Sequence, residues 1–252
     1  MPLALANNQL KHSLCGLQLA AEKPMNEHAD SPESSSEWLT ETQNHPRFYQ
    51  MLILTLAFTS GFIIMSIELL GGRILAPYFG SSIYVWGSII TIFMMSLAIG
   101  YLTGGRLSTN QPNLQRYGFF YAGAAVTLLP TIIFGEQIMD FVFLRIEDPR
   151  YGSLVASTFL FFVPTSILGM IAPYSVRLLV ANAYESGRIA GSLYFVSTIG
   201  SALGTLATSF YLVLWFEVNQ ILYTMVAVLI TCALAAIMFH GAIRDSEKKD
   251  VR

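Results

Sequence analysis

From Phe48 to Gly241 the chain alternates between long apolar runs and short polar breaks, with almost no charge inside the runs. A window of about 20 residues, the length needed to cross roughly 30 Å of hydrocarbon, picks out six runs. They cover 48–70, 83–104, 118–140, 153–172, 190–214 and 219–241. The runs are continuous, with no two-residue alternation, and lipid cannot satisfy an unpaired backbone, so the pattern predicts α-helices over barrel strands. The expected fold is an all-α, polytopic membrane helix bundle of about six transmembrane helices over residues 47–243. Residues 1–46, rich in Ser, Glu, Asn and His, are expected to be a disordered tail, and 244–252 a short polar tail.

Two segments share a pattern that suggests a 3+3 inverted repeat. Ala76-Pro77-Tyr78 follows the first run and Ala172-Pro173-Tyr174 the fourth; Ser82-Ile83-Tyr84-Val85 opens the second and Ser192-Leu193-Tyr194-Phe195 the fifth. Three crossings between copies invert the topology, as in many transporters. Proline at helix ends and tyrosine at membrane boundaries would produce the same match without a repeat. Aligning the triplets places Glu68 opposite Pro164 and Arg73 opposite Gly169, so a site using Glu68 is asymmetric. Small residues at intervals of four, Gly100 and Gly104 in one run and Gly200, Gly204 and Thr208 in another, predict close helix packing. Pro130 and Pro164 fall inside runs, where each removes a backbone donor. The stretch from Ala172 to Ala190 reads as an amphipathic segment lying along the membrane surface.

Composition sharpens this picture: 54% of residues are hydrophobic and 12% charged, with a net charge of −2. Six crossings divide the 14 Lys and Arg residues unequally. Eleven (Lys11, Lys23, Arg47, Arg106, Arg116, Arg177, Arg188, Arg244, Lys248, Lys249 and Arg252) fall on the side of the termini, against Arg73, Arg145 and Arg150 on the other. That asymmetry predicts an inner-membrane protein with both termini cytoplasmic. The basic residues are scattered, which argues against nucleic-acid binding. Cys15 and Cys232 are not placed to pair, and His12, His28, His45 and His240 lack metal-ligand spacing, so no cofactor or metal is expected. No nucleophile elbow or phosphate loop is found, so the chain leans away from being an enzyme.

Candidate chemistry centres on Glu68, a carboxylate among apolar residues, whose placement costs roughly 2.5–3.5 kcal/mol unless a partner, proton or ligand offsets it. Arg73 lies five residues on, about 140° around an ideal helix, so a direct pair requires Gly71-Gly72 to bend or unwind. The alternative is a counter-charge for a cationic substrate, with Tyr78, Ser82, Tyr84 and Trp86 shaping the site and offering aromatic faces to an ammonium group. Glu136, Asp140, Glu147 and Asp148 add acidic character that Arg145 and Arg150 offset.

The run Glu68-x4-Arg73-x-Leu75-Ala76-Pro77-x2-Gly80-Ser81-Ser82-x3-Trp86, continuing to Gly100-Tyr101-x2-Gly104-Gly105-Arg106, resembles the membrane domain of the fused, major-facilitator-like spermidine-synthase-like proteins. Gly187-Arg188-x2-Gly191-Ser192-Leu193-Tyr194 with Ser197-Thr198-Ile199-Gly200 resembles a second block of that domain. The resemblance implies a transporter-like or substrate-handling module for polyamines or related small cations. Members often carry a soluble aminopropyltransferase-like domain, for which this chain has no segment; it is expected not to make spermidine by itself. A separate soluble aminopropyltransferase-like partner recruited to the membrane, a purely structural role, and a homodimer resembling a complete permease are the alternatives.

Overall fold

The computed structural model describes residues 47–109, 112–146, 148–180 and 186–250, with side chains described from 48 to 240. The expected N-terminal tail, Glu147 and most of the α4–α5 connection lie outside the described residues. Helix α1 runs Arg47–Phe79, α2 Ile83–Leu107, α3 Leu114–Arg145 and α4 Pro149–Leu179. Helix α5 spans Ser186–Trp215 and includes a π-helical turn at Thr208–Leu212, and α6 spans Val218–Asp250. All six are long and apolar enough to cross a membrane, so the chain is an all-α, multi-pass membrane protein. Three short turns, α1–α2, α3–α4 and α5–α6, lie at one end of the bundle. The ends of α2 and α4 and the starts of α1, α3 and α5 lie at the other.

The helices outrun the apolar runs. At 1.5 Å per residue the 33 residues of α1 extend roughly 50 Å, beyond the hydrocarbon at both ends. Helix α4 continues through Ala172-Pro173-Tyr174 to Leu179, so only the first of the two triplets stands at a helix end. Of the predicted surface segment from Ala172 to Ala190, the described residues mostly extend α4 and open α5. The polar run near the C-terminus continues α6 as helix to Asp250.

Packing follows the small residues. The most extensive pairings are α2 with α4 and α1 with α5, followed by α3 with α6 and α3 with α4. A Cβ added to Gly100 or Gly104 would strike the α4 backbone at Ser166, Gly169 and Met170; one added to Gly200 or Gly204 would strike that of α1 at Phe58 and Phe62. Hydroxyls join the same seams. Ser153 Oγ donates to Ser88 Oγ at 3.0 Å between α4 and α2. Thr208 Oγ1 donates to Ser66 Oγ at 2.8 Å, and Ser201 Oγ to the Gly61 carbonyl at 3.2 Å, between α5 and α1. An inverted repeat exchanges α1 with α4, α2 with α5 and α3 with α6, which turns the α2/α4 pair into α5/α1. The observed pairing has that relation. One seam departs from it: α3 packs broadly on α4, whereas its counterpart α6 barely touches α1.

The prolines are accommodated without breaks. Pro164 deprives the Leu160 carbonyl of its helical donor, and Thr131 Oγ1 of α3 donates to that oxygen at 2.7 Å. Near the α2–α3 connection, Tyr117, Tyr121 and Tyr174 are wholly buried. Tyr117 shares a 2.7 Å hydrogen bond with Ser175, Tyr121 donates to the Leu56 carbonyl at 2.7 Å, and Tyr174 donates to the Asn113 carbonyl at 3.2 Å. Each phenol is thus satisfied where water is excluded.

Candidate functional site

Helix α1 is unbroken through Gly71-Gly72, so Glu68 and Arg73 stay on different faces and the ion pair does not form. The two glycines serve packing. A Cβ on Gly71 would press on the Phe161 ring, and one on Gly72 on the Trp86 indole. Glu68 lies one helical turn before Gly72 on the same stripe, half-buried, with no hydrogen bond or ion pair among the described residues. Eleven residues, roughly 16 Å, separate it from the end of α1, which places it inside the hydrocarbon.

Arg73 points the other way, toward the end of α5. Its Nη1 donates to the Val213 carbonyl at 3.2 Å, immediately after the π-helical turn. A π turn inserts a residue into the helical ladder and displaces the following carbonyls, a distortion often found at functional sites. Beside Arg73 lies a cavity of about 470 Å³, walled by α1, α3 and the α5–α6 turn. Pro77 and Tyr78 line it with Thr131 and Glu136 of α3 and with Glu217 and Asn219. Asp140 sits beside the Tyr78 hydroxyl, whose ring meets Phe143 edge-on at 6.0 Å. One guanidinium therefore shares this mouth with two carboxylates in the wall and a third next to Tyr78.

The other two arginines at this end are engaged with aromatic rings. Arg145 lies over Phe141 at 5.2 Å and Arg150 over Tyr84 at 4.5 Å. Tyr84 thus carries one of the protein's own cations in place of a substrate ammonium. Ser82 caps α2 through its backbone carbonyl, which accepts from Val85 and Trp86 at 3.1 and 3.2 Å. Its Oγ is buried and unpaired among the described residues.

The structure thus divides the five candidate residues. Arg73 and Tyr78 share the cavity; Glu68 lies on the stripe that meets Trp86 through Gly72; Ser82 belongs to the α1–α2 turn. Sequence reasoning overlooked Glu217 and Asn219, which sit at a break between two runs where topology brings them to the end occupied by Arg73. It registered Glu136 and Asp140 only as part of a diffuse acidic loop. The packing glycines Gly100, Gly104, Gly200 and Gly204 all stand at helix crossings, while Pro173 lies within α4 and Pro77 on the cavity rim. No protein-family profile, curated protein or solved structure matches the chain.

Proposed function

We propose that this membrane protein is a transporter-like or substrate-handling module for small amines, of the polyamine class or related cations. The observation that carries this reading is the cavity at the short-turn end, where Glu136 and Glu217 outnumber Arg73 and Tyr78 and Asp140 complete the rim. A protonated amine entering there meets an excess of negative charge at a boundary where the falling dielectric strengthens attraction. Glu68, deeper along α1 and without a polar partner among the described residues, stands about 180° around the helix from Pro77, a separate carboxylate outside the wall of the cavity. Its unoffset placement is the property expected of an intramembrane group that serves a ligand or a proton. The resemblance to the spermidine-synthase-like membrane domain is the reason polyamines are the amines to test first, and the excess of Lys and Arg on the terminal side supports an inner-membrane protein with cytoplasmic termini.

The test is titration of putrescine and spermidine into the purified protein in nanodiscs, read by thermal shift, with Glu136→Gln/Glu217→Gln and Glu68→Gln beside the wild type. Saturable stabilisation that is lost in the double variant and weakened in Glu68→Gln is the expected result. A wild type that responds to neither amine overturns the reading and favours recruitment of a soluble partner.

A further inference from the structure

A second cavity, of about 400 Å³, opens between α1, the end of α5 and α6. It exists because α6 barely touches α1, the seam at which the two halves of the bundle differ. Phe62, Ile63, Leu212, Phe216, Ile221 and Met225 supply its apolar wall. Two threonines also line it, but each hydroxyl donates to its own helix: Thr59 to the Thr55 carbonyl and Thr224 to the Gln220 carbonyl, both at 2.9 Å. The groove therefore presents hydrocarbon and nothing that a polar molecule would seek.

Its position relative to the charged cavity is informative. The groove starts at Phe216 of the α5–α6 turn and reaches α1 at residues 59–63, the middle of the span Phe48–Phe79, so its inner end lies near the bilayer midplane. The charged cavity meets α1 at residues 73–78, roughly 20 Å closer to the membrane boundary. That separation is comparable to one leaflet, about 15 Å of hydrocarbon plus the headgroup layer. Both use one face of α1, since residues 59, 63, 74 and 77 share a helical stripe. They also share the α5–α6 turn: Phe216 faces the groove and Glu217 the cavity.

Resting on the reading of that cavity as an amine site, we infer that the two together hold one phospholipid with a primary-amine headgroup, a phosphoethanolamine lipid of the short-turn leaflet. An acyl chain fills the groove. The phosphate faces Arg73, and the ammonium faces Glu136 and Glu217. A glycerol headgroup offers those carboxylates hydroxyl donors but no positive charge, and a choline headgroup has a positive charge but no N–H to donate to them. The amine that this protein handles is then lipid-borne.

The experiment reconstitutes the full chain in vesicles of equal parts phosphatidylethanolamine, phosphatidylglycerol and phosphatidylcholine, extracts it in mild detergent and counts retained lipid by native mass spectrometry. One ethanolamine lipid per chain, enriched about fivefold to tenfold over the other two, is expected from contacts of this kind at a partly exposed boundary. Val228→Trp, with Thr224→Phe as a second groove-filling variant, should lose the lipid yet keep its response to free spermidine. Glu136→Gln/Glu217→Gln should keep a lipid but lose the headgroup preference. Equal retention of the three lipids by wild type, or full retention by both groove-filled variants, overturns the inference. A spermidine response without lipid preference sinks the lipid site alone; a lipid preference without a spermidine response sinks only the free-amine reading.

Discussion

Replacing Thr131 by valine keeps the side chain's shape and removes one hydroxyl, and the structure specifies what that hydroxyl does. Its Oγ1 donates at 2.7 Å to the Leu160 carbonyl, the oxygen that Pro164, four residues later, leaves without a helical donor. Thr131 is only 6% exposed, although it also lines the charged cavity. Hydrogen bonds between membrane helices average about 0.6 kcal/mol and reach about 1.7. The higher value applies here, because an orphaned buried acceptor costs about 1–3 kcal/mol. Thr131→Val should therefore lower stability by about 1.5 kcal/mol. Pro164→Ala restores the backbone N–H four residues from Leu160, so in that background the threonine should matter much less. A double-mutant cycle by steric-trap unfolding in bicelles would read a coupling of about 1 kcal/mol. An unchanged stability for Thr131→Val, or a cycle additive within about 0.5 kcal/mol, would refute the assignment of Thr131 as the proline's compensating donor.

Other consequences follow from the same contacts. Gly204→Leu must push α5 away from Phe62 and should cost about 1–3 kcal/mol in thermal or SDS unfolding, whereas Gly105→Leu, with open space around its Cα, should be close to neutral; equal effects would contradict the packing role. Glu68→Leu removes a half-buried carboxylate without a partner and should raise stability by roughly 2 kcal/mol, a gain that becomes a loss if the carboxylate holds the bundle together. Tyr121→Phe forfeits the 2.7 Å bond to the Leu56 carbonyl and should destabilise by about 1 kcal/mol on chemical unfolding; a neutral effect would show that the phenol is held by packing alone.

The apolar runs by themselves determined six helices, because hydrocarbon forces the backbone to satisfy itself locally and about 20 apolar residues cross it. The intervals between Gly100 and Gly104 and between Gly200 and Gly204 also marked close crossings correctly, since a four-residue spacing repeats on one helix face. Which helix each would meet was not legible: nothing local in α2 specifies α4, or in α5 specifies α1. Gly71-Gly72 shows the same limit in reverse. A Glu68–Arg73 pair would have needed it to bend or unwind, yet Phe161 and Trp86 pack against it and the helix continues unbroken. Pro164 predicts a kink or a freed carbonyl, and what the sequence does not show is that a threonine 33 positions earlier supplies that carbonyl's donor. The candidate site was divided for an equally simple reason, that five positions turn an intact helix by about 140°, separating Glu68 from Arg73. The cavity that Arg73 does enter unites α1, α3 and the α5–α6 turn, and only helix packing brings Glu136 and Glu217 into one wall. Local chemistry decides what a segment becomes in the bilayer; complementarity between distant surfaces decides which charges meet.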